Sequence, residues 1–369
     1  MTTPARSSLS QKTLAGKYYT SPEMYDRETE RIFRKRWLYV GRTSRLSEPG
    51  AYLLFAVDTD SVIILLDRNH QFHAFHNVCR HRGTQLCSEE TGKLSQTIQC
   101  SYHAWTYALD GSLIGAPNMD QVDGFDKADY PLLPVAVAVW EGGLFVNLDP
   151  SPEPFEGAFA PLLGKFGQWD LADLAIAHEI VYDIQANWKL VVQNYSECYH
   201  CPSLHPALNR LTPYRGSTND LEEGPFLGGP MKLAQDGGSM TMSGRTCAPT
   251  LGQVSGEDQN LVYYYTIFPN MLLSLHPDYV LVHRIMPLAP DRTRIVCDWL
   301  FHPDAMAQPG FDPKDAVQFW NMTNKQDWEV SELSQKGISS PAYRPGPYSD
   351  LESMIATWDR QYLAVLEGT

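Results

Sequence analysis

Apolar positions along the chain follow two different rhythms. Between residues 21 and 38, Met24, Tyr25, Ile32, Phe33 and Trp37 recur at roughly helical spacing. Ser21 can cap an N-terminus, and Pro22 carries the fixed φ that suits a first helical position. The pattern predicts one amphipathic helix over 21–38. From residue 39 to about 149 the apolar runs shorten. Segments 51–57 (Ala-Tyr-Leu-Leu-Phe-Ala-Val) and 61–66 (Ser-Val-Ile-Ile-Leu-Leu) are rich in strand formers, and Pro49-Gly50 and Asp67-Arg68-Asn69 punctuate them. More strand-like sequence lies between 131 and 147, and Asp149-Pro150-Ser151-Pro152-Glu153-Pro154 reads as a boundary. Beyond it, strands are predicted over 262–268, 280–287 and 294–301, and one long helix over 313–336. This is an α+β chain with a small all-β domain inserted early. The expected division is 1–38 as a helical part of the larger domain, 39–150 as the β domain, and 151–369 as the remainder of the larger domain. There is no internal repeat and no low-complexity segment.

Composition narrows the choice of function. At 369 residues the chain can bury two cores, and a net charge of −14 makes nucleic acid a poor partner. No apolar run approaches the roughly 18 residues needed to span a bilayer. Met1-Thr2-Thr3-Pro4-Ala5-Arg6 lacks the apolar stretch of a signal peptide. A cytoplasmic protein without membrane partners is expected. The cysteines are Cys79, Cys87, Cys100, Cys198, Cys201, Cys247 and Cys297, an odd and scattered set. That argues against a disulfide framework. Cysteines that hold no metal are expected to be buried, small and apolar.

The chemistry concentrates in two short hooks, Cys79-Arg80-His81 and Cys100-Ser101-Tyr102-His103, with eighteen residues between them. Each offers one thiolate and one imidazole. A Rieske [2Fe–2S] centre has two Cys on one iron and two His on the other, so each hook supplies one ligand of each kind. Zinc accepts the same ligands, although its usual spacing pairs Cys with Cys and His with His. Arg82-Gly83 follows the first hook, and Ala104-Trp105-Thr106-Tyr107 with Asp110-Gly111 follows the second. With these flanks the segment resembles the Rieske iron–sulfur family.

A second string, Asn194-Tyr195-Ser196-Glu197-Cys198-Tyr199-His200-Cys201-Pro202-Ser203-Leu204-His205, places two histidines five residues apart. That is one more than the spacing that stacks side chains on a helix face, and Pro202 would end or distort a helix there. A bent backbone could bring both imidazoles to one ion. Alone, such a pair is equally compatible with a structural role. In the order found here, the string resembles the Asn-x-x-(Asp/Glu)-x-Tyr-His-x-x-x-x-His signature of Rieske non-haem iron oxygenases, over nearly the whole chain.

That resemblance implies a helix-grip (START-like) catalytic domain around a mononuclear Fe(II), with Asn194 among its catalytic residues. Such iron sites use two His and one carboxylate and leave positions open for dioxygen. The carboxylate is expected to be Asp327, on a helix where Trp320, Asn324, Asp327 and Ser331 fall on one face; Glu329 and Glu332 show that exposed acids also occur there. By resemblance, Glu197 bridges His200 of its own chain to His103 of a neighbour, within a homotrimer. Glu in place of Asp at that position, within Glu-Cys-Tyr-His-Cys-Pro, looks like the branch acting on choline, glycine betaine and carnitine.

A terminal monooxygenase subunit that hydroxylates or N-demethylates an amine or quaternary ammonium substrate is therefore expected. The alternatives are an aromatic-ring dihydroxylating oxygenase, an electron-transfer Rieske protein and a zinc-stabilised module. The chain has neither a G-x-G-x-x-G fingerprint after a strand nor the Cys spacing of a plant-type ferredoxin. Electrons from NAD(P)H must then come through a separate flavin/iron–sulfur reductase. Arg31, Arg34, Lys35 and Arg36 form a basic cluster that could dock it or simply face solvent. An ammonium group needs aromatic faces rather than donors. The candidates are Trp188, Tyr195, Tyr263, Tyr264, Tyr265 and Phe268, with Tyr264 facing away from its two neighbours in a strand.

Overall fold

A computed structural model describes residues 11–368. The expectation of no apolar leader rests on Met1 to Arg6, which lie outside that range. Two compact units emerge: Thr29–Lys165 with Leu171–Asp173, and the rest of the described residues.

The first unit is built from short antiparallel strands. Strands β1 (Leu38–Arg42), β2 (Ala51–Val57), β3 (Asp60–Leu66), β4 (Phe72–His76) and β5 (Thr91–Lys93) are followed by β6 (Thr97–Gln99), β7 (Thr106–Ala108) and β8 (Leu113–Gly115), then β9 (Ala136–Trp140) and β10 (Gly143–Asn147). They form three sheets, ordered β1-β10-β9, β4-β3-β2-β5 and β6-β7-β8. The continuous apolar run of β3 is explained by its central place, since Val62 to Leu66 are all buried. Strand β5 sits at the sheet edge and is exposed throughout.

The second unit carries a six-stranded antiparallel sheet ordered β11-β16-β15-β14-β13-β12. Its strands are β11 (Ala175–Ile184), β12 (Phe226–Lys232), β13 (Leu261–Ile267), β14 (Met271–Leu275), β15 (Val280–Ala289) and β16 (Arg292–Phe301). The helix Lys314–Ile338 buries Phe319, Trp320, Thr323, Asn324 and Trp328. Asn321 accepts from Tyr182 on β11, and Trp320 donates to Tyr279. A long helix held against an antiparallel sheet is the expected helix-grip arrangement, and the strands predicted in this half all form.

The helix predicted over 21–38 does not run its length. Pro22–Glu28 is α-helical and Ser21 caps it, its Oγ accepting from Met24 N–H at 3.3 Å. Thr29–Phe33 widens into a π turn, and β1 begins at Leu38. Within the basic cluster, Arg34 pairs with Glu30 and Asp60, and Lys35 with Asp149.

Glu28 is fully buried, and Lys189 reaches it at 2.5 Å, Tyr362 at 2.6 Å and Trp188 Nε1 at 2.8 Å. A buried charge persists only when paired and hydrogen-bonded, as here. This network, with the Gln193–Asp359 bond at 2.7 Å, fastens the helix Trp188–Tyr195, from whose end the iron-ligand motif runs.

Candidate metal centres and active site

The two hooks fold as matching turns. Cys79 N–H bonds Thr84 O and Cys100 N–H bonds Trp105 O, both at 2.8 Å. Gly83 N–H closes back on Cys79 O at 3.0 Å, and Ala104 N–H on Cys100 O at 3.1 Å. The fourth residue after each cysteine is therefore left-handed, with φ +75° at Gly83 and +55° at Ala104. Glycine takes that conformation freely, whereas alanine is strained there. Asn77 braces the first turn, its Oδ1 accepting from Leu86 and Cys87 N–H and its Nδ2 donating to Cys87 O.

Both cysteines are buried in a core containing Ile63, Leu65, Ile98 and Tyr107. The His81 and His103 rings lie 4.6 Å apart, and Trp105 stacks on His81 at 4.8 Å. Burial opposes a thiolate at Cys100, yet N–H groups of Tyr102 and His103 and the Cys79 thiol lower its pKa overall. Burial, then His103 and Arg82, lower that of His81, which keeps the imidazole neutral. Neutral imidazole and thiolate are the forms that bind iron. His103 Nδ1 is buried without a partner among the described residues. The donor set fits a Rieske cluster.

In the second unit, the helix Trp188–Tyr195 ends at Tyr195, and Ser196 begins a turn. His200 caps the short helix Cys201–Leu204, and His205 ends it and leads into Pro206–Leu211. Pro202 therefore sits in a first helical turn, where its missing N–H costs nothing, and starts a helix rather than ending one. The turn brings His200 and His205 rings to 5.1 Å. Asp327 Oδ1 lies 2.7 Å from His205 Nε2 and 3.4 Å from His200 Nε2. One ligand atom from each of the three lies within 4.8 Å of the others.

The other ring nitrogens are held from behind. His200 Nδ1 meets Glu197 Oε1 at 2.6 Å, and His205 Nδ1 meets Gln326 Oε1 at 2.7 Å. Such contacts fix the tautomer and aim Nε2 at the metal. Burial opposes charge on His200, but hydrogen bonds to Asp327 and Glu197 raise it to about 9. Burial likewise opposes charge on Asp327, while both imidazoles hold its carboxyl below the ordinary range. Three ligands converge on one point, and a divalent cation would replace a shared proton there. The set fits a mononuclear iron.

A cavity of about 140 Å³ adjoins these ligands, lined among others by Asn194, Glu197, Tyr264, Thr266, Trp320 and Thr323. Of the aromatic candidates, Tyr195 and Tyr264 line it; Trp188, Tyr263, Tyr265 and Phe268 do not. Trp188 is spent in the Glu28 network, and Tyr263 and Tyr265 stack on each other across the opposite face of β13. Of the predicted helix face, Trp320 and Asp327 reach the cavity. Asn324 turns instead to Tyr182 and Cys297, and Ser331 is buried outside the lining.

The cysteine expectation holds at Cys87 and Cys297, but Cys247 is only half-buried and one pair is bonded. Cys198 and Cys201 form a disulfide, because one tight turn brings their Cα atoms to 5.0 Å. Sequence reasoning also missed Gln326 as a brace; its position beside Asp327 on the long helix was the available signal. The wall contributed by residues 217–219 carried no such signal, since it depends on pairing with β12. There Gly228, at φ +141°, passes so close to β13 that a Cβ would strike Tyr264 O.

Known proteins resemble this chain in sequence and in fold. The model of the Rieske [2Fe–2S] domain matches residues 36–126, and that of the ring hydroxylating alpha subunit catalytic domain matches residues 171–368. The glycine betaine monooxygenase oxygenase subunit of Chromohalobacter salexigens is 33% identical over 90% of this chain and 80% of its own length. The carnitine monooxygenase oxygenase subunit of Acinetobacter baumannii is 30% identical over 89% and 85%. A solved quaternary ammonium Rieske monooxygenase superimposes with a TM-score of 0.81 at 27% identity, covering 96% of this chain and 94% of that one. Among the described residues no helix is long and apolar enough to cross a membrane. The chain belongs to the Rieske non-haem iron oxygenases, as an oxidoreductase oxygenase subunit with a [2Fe–2S] cluster and a mononuclear iron, in the quaternary ammonium monooxygenase group.

Proposed function

We propose that the chain is the terminal component of a cytoplasmic monooxygenase that hydroxylates or N-demethylates a methylammonium substrate with O2. Cys79, His81, Cys100 and His103 hold the cluster, and His200, His205 and Asp327 hold the iron. The observation that carries this reading is the convergence of those three ligands beside a cavity walled by three aromatic rings. Tyr195 and Tyr264 lie 6.1 Å apart at 80°, and Tyr264 and Trp320 6.1 Å apart at 69°. An N-methyl cation is held over the faces of aromatic rings, which these three side chains supply.

When bound, the iron supplies a site where dioxygen is reduced by electrons passed from the cluster. The protein orients its ligands through Glu197 and Gln326, confines the substrate with Tyr195, Tyr264 and Trp320, and contributes Asn194 to the wall. In N-demethylation one methyl C–H becomes C–OH. The other oxygen atom leaves as water, with two electrons and two protons consumed. The C–N bond of the resulting hydroxymethyl ammonium then breaks, giving formaldehyde, the smaller amine and a proton.

Electrons come from NAD(P)H through a separate flavin/iron–sulfur reductase. The proposed assembly is a homotrimer in which Glu197 also reaches His103 of the neighbouring chain. In its support, Glu197 already holds its own His200, His103 Nδ1 lacks a partner, and Tyr102 and Tyr199 stand exposed beside the two motifs. The domain division at 39–150 and 151–369 remains our reading of where each cofactor is housed. A panel of N-methylated and aromatic compounds, supplied with a surrogate reductase, tests the proposal. Formaldehyde or a hydroxylated ammonium product supports it; a cis-diol from an aromatic ring would replace it with dihydroxylation.

A further inference from the structure

The disulfide found among the described residues lies in the wall of the iron site. Cys79, Cys87, Cys100, Cys247 and Cys297 carry no disulfide. One bond among so many unbridged cysteines does not make a framework. Where thiols are kept reduced, such a bond is transient and redox-active. Cys198 and Cys201 both line the cavity, so a small thiol can reach their bond by the substrate's own route. Cys198 is half-buried, whereas Cys201 is buried.

The turn that delivers His200 also places a sulfur beside it. Cys201 Sγ lies 4.0 Å from His200 Nε2, the ring nitrogen that faces Asp327. On a tetrahedral zinc with bonds of about 2.0 Å to nitrogen and 2.3 Å to sulfur, the two donors stand about 3.5 Å apart. Cys201 Sγ is therefore at nearly the spacing of a fellow ligand. In the disulfide each sulfur is spent on the other, and only a thiolate binds metal. A freed thiolate is a soft donor that favours zinc over ferrous iron. Three protein ligands leave the metal open, whereas a fourth gives the closed tetrahedron of a structural zinc site.

Resting on the assignment of the mononuclear iron to His200, His205 and Asp327, we infer that Cys198–Cys201 is a redox-active pair that decides which metal this site holds. Oxidised, the pair keeps sulfur out of the ligand set and leaves the open, three-ligand iron site. Reduced, Cys201 joins the three ligands as a fourth, gives its proton to solvent and closes the site on zinc. The reductant is a dithiol: its two S–H groups become a disulfide, and their hydrogens pass to Cys198 and Cys201. Hydrogen peroxide reverses the step, oxidising both thiols to the disulfide and leaving as two water molecules.

The test strips the holoenzyme of its mononuclear iron with a chelator that spares the cluster. One half is then treated with dithiothreitol and cleared of it. Both halves are offered Fe(II) and Zn(II) together without oxygen, and the metals retained are counted against the cluster absorption. A brace behind a ligand changes metal affinity about 10- to 100-fold, so a direct sulfur ligand should shift the preference toward zinc at least about 10-fold. Zinc should also shield Cys201 of the reduced protein from alkylation, read by mass spectrometry. Cys198→Ser leaves Cys201 a free thiol and should prefer zinc without any reductant, while Cys201→Ser should be indifferent to it. An unchanged zinc-to-iron ratio on reduction, an equal shift in Cys201→Ser, or free alkylation of Cys201 under zinc overturns the inference and leaves the iron ligands as assigned. Oxidised protein that takes up no iron beyond the cluster overturns both. The comparison within the parent decides the matter even if a variant fails to fold.

Discussion

Replacing Gln326 with Leu should weaken the mononuclear iron without disturbing the cluster. His205 is only 2% exposed, and its Nδ1 sits 2.7 Å from Gln326 Oε1. Leu has similar bulk but no acceptor, so a buried ring N–H is stranded, at about 1–3 kcal/mol. The ring can relieve this only by turning or by moving its proton to Nε2, and either withdraws the lone pair aimed at the metal. Loss of such a brace lowers metal affinity about 10- to 100-fold, or about 1.4–2.7 kcal/mol. The assay is competition between protein and a ferrous chelator, with the Rieske absorption as internal control. Gln326→Glu keeps an acceptor and should hold affinity within a few-fold. Wild-type affinity in Gln326→Leu, or equal loss of both metals, would refute the reasoning.

Asp327→Ala should lose the mononuclear iron and turnover while keeping the Rieske absorption, and metal analysis checks it. Glu197→Gln should retain both metals but slow reoxidation of the reduced cluster at least about 10-fold, read by stopped flow. Burial raises the Asp359 carboxyl to about 6 from an ordinary 3.8. Its stabilising contribution is thus complete below about pH 3.8 and is lost as pH rises through about 6. Asp359→Asn keeps one oxygen to accept from Gln193 Nε2 and turns an Nδ2 donor to the Tyr348 hydroxyl, which can rotate to accept, so it should be more stable than the parent at pH 8 by up to about 3 kcal/mol. Melting curves of the two should converge near pH 4.

The hooks were legible in the sequence because a mixed Cys/His ligand set needs fixed spacing, and spacing survives in one dimension. Asp327 was legible through the family resemblance, with the helical period that aligned it with Trp320 as support. What the sequence hid depends on folding in space. The Cys198–Cys201 disulfide arises from a turn that the odd cysteine total argued against. Tyr263 and Tyr265 lie beside Tyr264 in sequence but on the other face of β13, and which face meets the cavity is set by packing. The break at Thr29 follows from a π turn that the apolar spacing did not register.

The central claim is that this chain couples its cluster to an iron held by His200, His205 and Asp327. A single-turnover reaction tests it: chemically reduced holoenzyme, freed of reductase and NAD(P)H, is mixed with O2 and a methylammonium substrate. The account predicts that cluster reoxidation and product formation rise together, and that Asp327→Ala forms no product. Product formed by Asp327→Ala, or cluster reoxidation in the parent that yields none, would contradict it.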